Sequence, residues 1–397
     1  MSEKITLADL KEAARTGGSS ALTSVTHLRP AAGEHALVSP AKYASGNNAV
    51  YVYEDRYLDG ELVRTVLLDS RSSSANRLEE AIAQAVAEGH PVFARMPHIE
   101  VTYAWPDGRT ETYADYELPH RAADGHVRVG SVDGQPVTAN PVYRAARDST
   151  PADAWNLFAL SPVSVLFGLW DSTRKARQLR IPSAIVGEII GVVGSAKETK
   201  RSGARVDPVG ASVTLAPDAA RAMAEAQSDD LNAKKLDGFR RAKGAVKGSE
   251  FVLGAIPPGT DAVDGIAATD IIRSHVLSFS TLRRLAFGKG VEGDIAIRAL
   301  LAAMALSALA RSDSELYLRA NCHLVEKAPT AVTLDRRQGE STTFRALTVA
   351  EADALLAEAY AFAHEVADVD WSGQVFDVVG NPAVVAGASD DESDGAA

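Results

Sequence analysis

Nine histidines, one cysteine and 52 acidic residues are the groups in this 397-residue sequence able to carry acid–base, nucleophilic or metal chemistry. Their spacing assembles almost none of it. No Gly-x-Ser-x-Gly elbow and no His-Glu-x-x-His pair occurs. The histidines are scattered, without a pair at metal-ligand spacing. Cys322 and His323 are neighbours on an expected strand, so their side chains point to opposite faces and the thiol reads as structural. His120 and Asp124 share a helical face, but two such groups do not make a metal site. Gly191 to Lys197 superficially resembles a phosphate loop, yet its spacing differs and Lys197 is followed by Glu198. No catalytic residue, metal site or cofactor is expected.

What remains is cationic chemistry. A formal charge of −11 speaks against a nucleic-acid binder until its distribution is considered. Asp390, Asp391, Glu392 and Asp394 lie in a small-residue tail, residues 387–397, expected to be disordered. Between Ser172 and Arg205 the balance reverses. Arg174, Lys175, Arg177, Arg180, Lys197, Lys200, Arg201 and Arg205 face only Glu188 and Glu198. A second basic stretch holds Lys234, Lys235, Arg240, Arg241, Lys243 and Lys247 against Asp237. An acidic body with a basic centre fits a groove for one polyanion. Two solvated helical faces would give the same counts. Guanidinium groups hold phosphates bidentately and stack on bases. Three places set cations beside aromatic residues: Trp170 before Arg174 and Lys175, Phe279 with Arg283 and Arg284, and His120-Arg121. Trp170 reads first as a core indole closing an apolar run, and only second as a surface ring. The aromatic signature of the common RNA-recognition module is missing.

The elements that must position these groups follow from periodicity. The length suits two or three domains, or one core with large insertions, and 46% apolar residues allow a substantial core. The most apolar stretch, Ala299 to Ala310, is shorter than the ~20 helical residues that span a bilayer. The N-terminus shows no apolar signal core, and a lone cysteine permits no internal disulfide. The expected location is cytoplasmic. A short helix near Leu7 to Ala14 precedes a strand at Ala21 to Leu28. Ala49 to Leu68 reads as a hairpin about Asp59-Gly60. Leu78, Ile82 and Val86 set one face of a helix from Ala75 to Glu88, stopped by Gly89. Further turns are expected at Asp107-Gly108 and Val132 to Gln135. Leu157 to Leu169 and Ile185 to Val193 are apolar, and Gly194 to Gly210 is loop-like. Ala216 to Lys247 reads as polar helix projecting from the core. Strands are expected at Ser249 to Ile256, Val276 to Phe287 and Leu316 to Val325. A buried helix is expected from Asp294 to Arg311, and a last helix from Thr348, capped with Glu351.

Several segments then join into one resemblance. Thr65-Val-Leu-Leu-Asp-Ser70 and Ala75-Asn-Arg-Leu-Glu-Glu80 are followed by Pro119-His-Arg-Ala-Ala-Asp124 and Leu166-Phe-Gly-Leu-Trp-Asp-Ser172. Ala184-Ile-Val-Gly-Glu-Ile-Ile190, Arg205-Val-Asp-Pro208 and Leu282-Arg-Arg-Leu285 continue the series. In this order they resemble the backbone subunit of the type I-G (formerly I-U) CRISPR Cascade effector, a member of the repeat-associated mysterious protein (RAMP) superfamily. The resemblance runs from about Leu22 to Val325. The chain departs from the pattern after Asp124, where Gly125-His126-Val127-Arg128-Val129 reads as extended rather than helical.

The resemblance implies an α+β fold with a ferredoxin-like (RRM-like) palm, with insertions forming a thumb and a lateral lobe. One domain would span 1–386, with about 90–280 holding inserted and lateral elements. It implies antiviral defence: copies polymerise in a helical filament along one CRISPR RNA and hold its bases outward for pairing with target DNA. Other Cascade subunits and a recruited helicase-nuclease are implied partners, and no membrane. Such a subunit contacts phosphate and ribose rather than base edges. The residues placed for this are Asn76, Arg77, Arg121, Arg174, Lys175, Arg177, Arg201, Arg205, Arg283 and Arg284. Asn76 and Arg77 read equally as a helix start with an ion pair to Glu80. The rival within the superfamily is an endoribonuclease cutting CRISPR precursor or target RNA, with Asp69 or Asp171 as its acid. The expectation here is no enzyme.

Overall fold

The computed structural model describes residues 3–45, 48–194, 199–200, 205–256 and 263–388. Arg201, Lys197 and most of the acidic tail lie outside them.

The elements that concern the site are, in chain order, α1 (Leu7–Ala14), β1 (Ala21–Pro30), β2 (Tyr53–Leu58), β3 (Glu61–Asp69) and α2 (Arg71–Ala87). A small hairpin follows, β4 (Leu169–Trp170) and β5 (Arg180–Ile181), then β6 (Ile185–Val193) and β7 (Ala268–Ser278). The chain continues through α3 (Phe279–Leu282), α4 (Gly290–Ser314), β8 (Ala331–Arg337), β9 (Glu340–Arg345) and α5 (Val349–Ala367). The fold is mixed α+β with several sheets. Its main sheet runs β9-β8-β1-β7-β6-β3-β2, with Leu324–Glu326 also paired to β1. Every pairing along it is antiparallel. Within this order β1 and β6 run parallel with β7 between them, and α2 lies on the chain path that joins them. Likewise β7 and β8 flank β1, and α4 joins them. Two of these central strands, β6 and β7, fall within 90–280, so that span holds main-sheet strands as well as additions.

Strand periodicity divides the sheet into two unlike faces. Leu22, Ser24, Thr26 and Leu28 of β1 are buried, whereas Thr23 and Val25 are half-buried and His27 is exposed. Register carries the open face across the sheet: Thr23 sits opposite Val276 and Thr333, and Val276 opposite Val186. The buried face packs under α2, α4 and α5. Helix α4 passes for a membrane span by length and apolarity, but 83% of its most apolar window is buried in the fold. It is the core helix.

That buried face also holds polar groups. His275 reaches Ser74 Oγ at 3.2 Å, and Arg273 pairs with Asp313 at 3.1 Å. A Cβ on Gly187 would lie 2.0 Å from the His275 ring, so only glycine lets β6 pass. Burial, aided by the nearby Arg273, pushes the His275 imidazole down to about 4.

Away from the sheet, local signals meet tertiary context with mixed results. Asp59-Gly60 and Asp133-Gly134 turn through paired positive φ, as hairpins of this kind require. Residues 125–128 are helical, not extended, because Asp124 caps them through His126 N. The strand expected over Val276 to Phe287 stops at Ser278, whose hydroxyl accepts from Thr281 N and starts α3. Ser249 to Ile256 is not a strand: Gly248–Phe251 forms a 3₁₀ turn ending at Val252 with φ 57°. Of Leu316 to Val325, only the last two residues enter a strand, Leu324–Glu326. Cys322 lies buried just before it, with His323 exposed. The polar segment after Ala216 forms helices Pro217–Glu225 and Ala233–Arg240, with a small core of Ala224, Leu236 and Phe239.

Candidate nucleic-acid interface

The cations singled out by sequence divide into those the fold consumes and those it leaves free. Arg77 belongs to the first group. Ser70 caps α2, and about two turns into the helix Arg77 turns back to Asp69, with Nη2 3.1 Å and Nε 3.2 Å from the carboxylate. It also donates to the Tyr317 carbonyl. Asp69, not Glu80, is its partner, and the carboxylate is 1% exposed. Arg121 is held more tightly. It forms a two-pronged ion pair with Glu79 of α2, one arm at 2.7 Å, and donates to Gly168 O at 3.0 Å. Burial pushes the Glu79 carboxyl up, opposed by the Arg121 guanidinium.

Arg283 caps carbonyls, donating to Ala13 O at 2.5 Å and Ser19 O at 2.7 Å, so it ties α3 to the end of α1. Burial lowers its affinity for the proton. Arg174 donates to Arg147 O and to Asp148 Oδ1, both at 2.6 Å. These four arginines hold the fold together in the free chain.

The second group is exposed. Asn76 and Arg284 lie on the surface, with no side-chain hydrogen bond or ion pair among the described residues. Arg205 is exposed on the lobe 205–256, where its backbone pairs with Ile256. Lys175 and Arg177 stand on the loop joining β4 to β5, and Arg180 on β5.

How that loop is built explains its charge. Asp171 N bonds Leu179 O at 2.9 Å, closing the hairpin above the Leu169–Ile181 pair. The buried Asp171 carboxylate takes Arg147 at 2.6 Å and the Thr173 hydroxyl at 3.2 Å. Asp148 is taken by Arg174, whose hydrogen bond, with charge from Arg144 and Arg177, holds its carboxyl below the usual range. Asp171 is thus spent on Arg147, and Asp148 accepts its hydrogen bond from Arg174 while staying within electrostatic reach of Arg144 and Arg177. Lys175, Arg177, Arg180 and Arg144 are exposed and have no ion-pair partner among the described residues. Such a surplus attracts a polyanion in proportion to the phosphates it meets.

Trp170 sits on the same hairpin. It is 55% exposed, so the reading of this indole as core does not hold. In the two-stranded ribbon it lies opposite Arg180, whose guanidinium stands 5.2 Å from the ring centroid. Leu169 before it and Asp171 after it are buried, so the indole falls on the outward side of the ribbon. Sequence reasoning passed over Arg144 as a cation of this surface and left Arg180 out of the site. Arg180 was readable from its place just ahead of the apolar β6. Arg144 was not, because it comes from a separate helix, Pro141–Arg147.

Residues 22–194 match the family described as CRISPR-associated protein GSU0053. The match supports a CRISPR-associated protein, a role in CRISPR defence and participation in a CRISPR complex. The matched stretch contains β1, β2, β3, α2, the Trp170 hairpin and β6. The segments Arg205 to Pro208 and Leu282 to Leu285 lie beyond it. No curated protein matches the chain.

Proposed function

We propose that the protein binds a CRISPR RNA through its sugar–phosphate strand, as a repeated backbone subunit of a type I-G Cascade complex. In this reading the strands β8-β1-β7-β6, with α2 and α4 on one face, are a ferredoxin-like palm. The hairpin β4–β5 and the lobe 205–256 are additions to it. Copies line up along the guide in the cytoplasm and present its bases to target DNA, alongside other Cascade subunits and a recruited helicase-nuclease.

One observation carries this proposal. In a chain of net charge −11, the hairpin residues Lys175, Arg177 and Arg180 are exposed cations without an ion-pair partner among the described residues, the nearby Asp171 and Asp148 being paired with Arg147 and Arg174. A guide subunit must accept any spacer, and phosphate contacts carry no sequence information. Each subunit needs few phosphates, because linked neighbours on one RNA add avidity.

The same reading makes the protein no nuclease. Metal-free RNA cutting needs an acid and a base free to move a proton at the scissile phosphate. Asp69 and Asp171, the acids named for that role, are both buried in ion pairs with arginine. Incubation with labelled repeat RNA and Mg²⁺ is expected to leave the RNA intact.

Purification from cells carrying a matching CRISPR array tests the main proposal. The protein is expected to emerge as an assembly of several copies with a short RNA. RNA-free protein without a repeating assembly would overturn it.

A further inference from the structure

We infer that Trp170, backed by Arg180, is a stacking platform for an unpaired nucleobase. This rests on the RNA-binding reading but adds to it. The cations account for phosphate contact, whereas an exposed indole contributes nothing to phosphate binding and needs its own explanation.

An indole left 55% in water forgoes much of the free energy that burial would bring. The hairpin nevertheless fixes it outward. The pairs Leu169–Ile181 and Trp170–Arg180 set the ribbon's two sides, and Leu169 and Ile181 take the buried one. Trp170 is also held in orientation. Its Nε1 points to Gln178 Oε1 at 3.4 Å, and Gln178 Nε2 is in turn anchored to Ser172 O and Arg174 O, both at 2.9 Å. Arg180 stands over the ring at 5.2 Å. A ring pre-oriented in this way loses little side-chain freedom on binding a flat partner.

The partner's chemistry follows from the surroundings. Lys175 and Arg177 on the same loop supply positive charge for a phosphate, and the indole supplies a π-face. A strand with phosphates and unpaired bases at fixed spacing satisfies both together. Every base has a π-face, so stacking here is indifferent to sequence, as a guide-binding surface requires. A paired base inside a duplex offers no free face, so the platform selects single-stranded RNA.

The test compares the full-length protein with its Trp170→Ala and Trp170→Phe variants, by fluorescence anisotropy on two labelled RNAs. One is a short mixed-sequence single strand. The other has the same phosphates with abasic sites in place of its bases. Trp170 is exposed, so both variants are expected to fold, which thermal melting checks. On the intact RNA, Trp170→Ala is expected to weaken binding roughly 5- to 150-fold, with Trp170→Phe between it and the parent. On the abasic RNA all three proteins are expected to bind alike. The dependence on salt is expected to stay unchanged by either substitution, since neither removes a cation that neutralises phosphate. Undiminished binding of the intact RNA by Trp170→Ala would overturn the inference and leave the RNA-binding reading standing. Equal losses on both RNAs would also overturn it, making Trp170 a prop for the basic loop. If the parent protein binds neither RNA, the RNA-binding reading fails, and this inference with it.

Discussion

Arg121 and Arg177 are the same residue type, both in the left-handed backbone region at φ 51° and 53°, and they do opposite things. Arg121 is driven into the interior by Glu79, a carboxylate 42 residues away that burial would otherwise leave unpaired. Arg177 sits on a loop whose one carboxylate, Asp171, is claimed by Arg147, while Asp148 at the end of the neighbouring helix is bonded to Arg174. The comparison teaches that an arginine's availability depends on the local supply of carboxylates more than on its own position. A basic run in sequence is therefore a poor guide to a basic surface. Arg77 and Arg283 are cases of cations whose hydrogen bonds are already used inside the fold.

The largest expected effect breaks the buried side of that comparison. Arg121→Ala leaves the enclosed Glu79 without its partner, and is expected to cost about 3–5 kcal/mol of unfolding free energy by urea titration. The double variant Arg121→Met with Glu79→Met is expected to recover most of that loss, because no lone charge remains. If the single change proves neutral, the ion pair is not what holds α2 to Gly168.

His275 sharpens the contrast through pH. Its imidazole titrates at about 4 in the fold against an ordinary 6.5. Between those values the unfolded chain takes up a proton that the native chain refuses, so stability drops on acidification across that window. Asp115 and Asp313, both pushed up to about 6 by burial, act in the opposite sense as pH falls below 6. Comparing His275→Gln with the parent isolates the histidine. The variant is less stable near neutrality, and the gap is expected to narrow by up to ~3 kcal/mol towards pH 4. A gap independent of pH would show that the ring is not titrating as its burial dictates.

On the exposed side, reversing Lys175, Arg177 and Arg180 to glutamate together is expected to leave stability within about 0.5 kcal/mol of the parent. It is expected to weaken RNA binding equally for unrelated spacers. The log–log salt slope should fall by roughly 2, about 0.7 for each phosphate no longer neutralised. Weakening confined to one spacer would point to base reading and contradict the proposed role. The smallest effect is expected at Arg284, exposed but outside the hairpin. Arg284→Ala should shift stability by less than about 0.5 kcal/mol, with a change in salt slope of at most about 0.7.

Much of the fold was legible because its signals are local. The four-residue rhythm of Leu78, Ile82 and Val86 marks α2, and Asp-Gly pairs mark the hairpins. Thr348 and Glu351 form their reciprocal cap as the spacing foretells. The buried helix expected at Asp294 to Arg311 is α4, longer by about a turn at each end. Misreadings fell where a local preference was overruled by one contact. Val127 and Val129 favour a strand, but the Asp124 cap made a helix turn. Ser278 ended the strand by capping α3.

By itself, the sequence determined most of the helices and strands and where the cations are concentrated, because periodicity, turn chemistry and charge act over a few residues. Only the tertiary structure decided which cations are free. Ion pairs such as Glu79–Arg121 and Asp171–Arg147 join residues 42 and 24 positions apart, and a buried carboxylate takes whatever guanidinium the fold brings to it. The exposure of Trp170 was settled in the same way. The ribbon it shares with Arg180 has one buried side, and Leu169 and Ile181 occupy it.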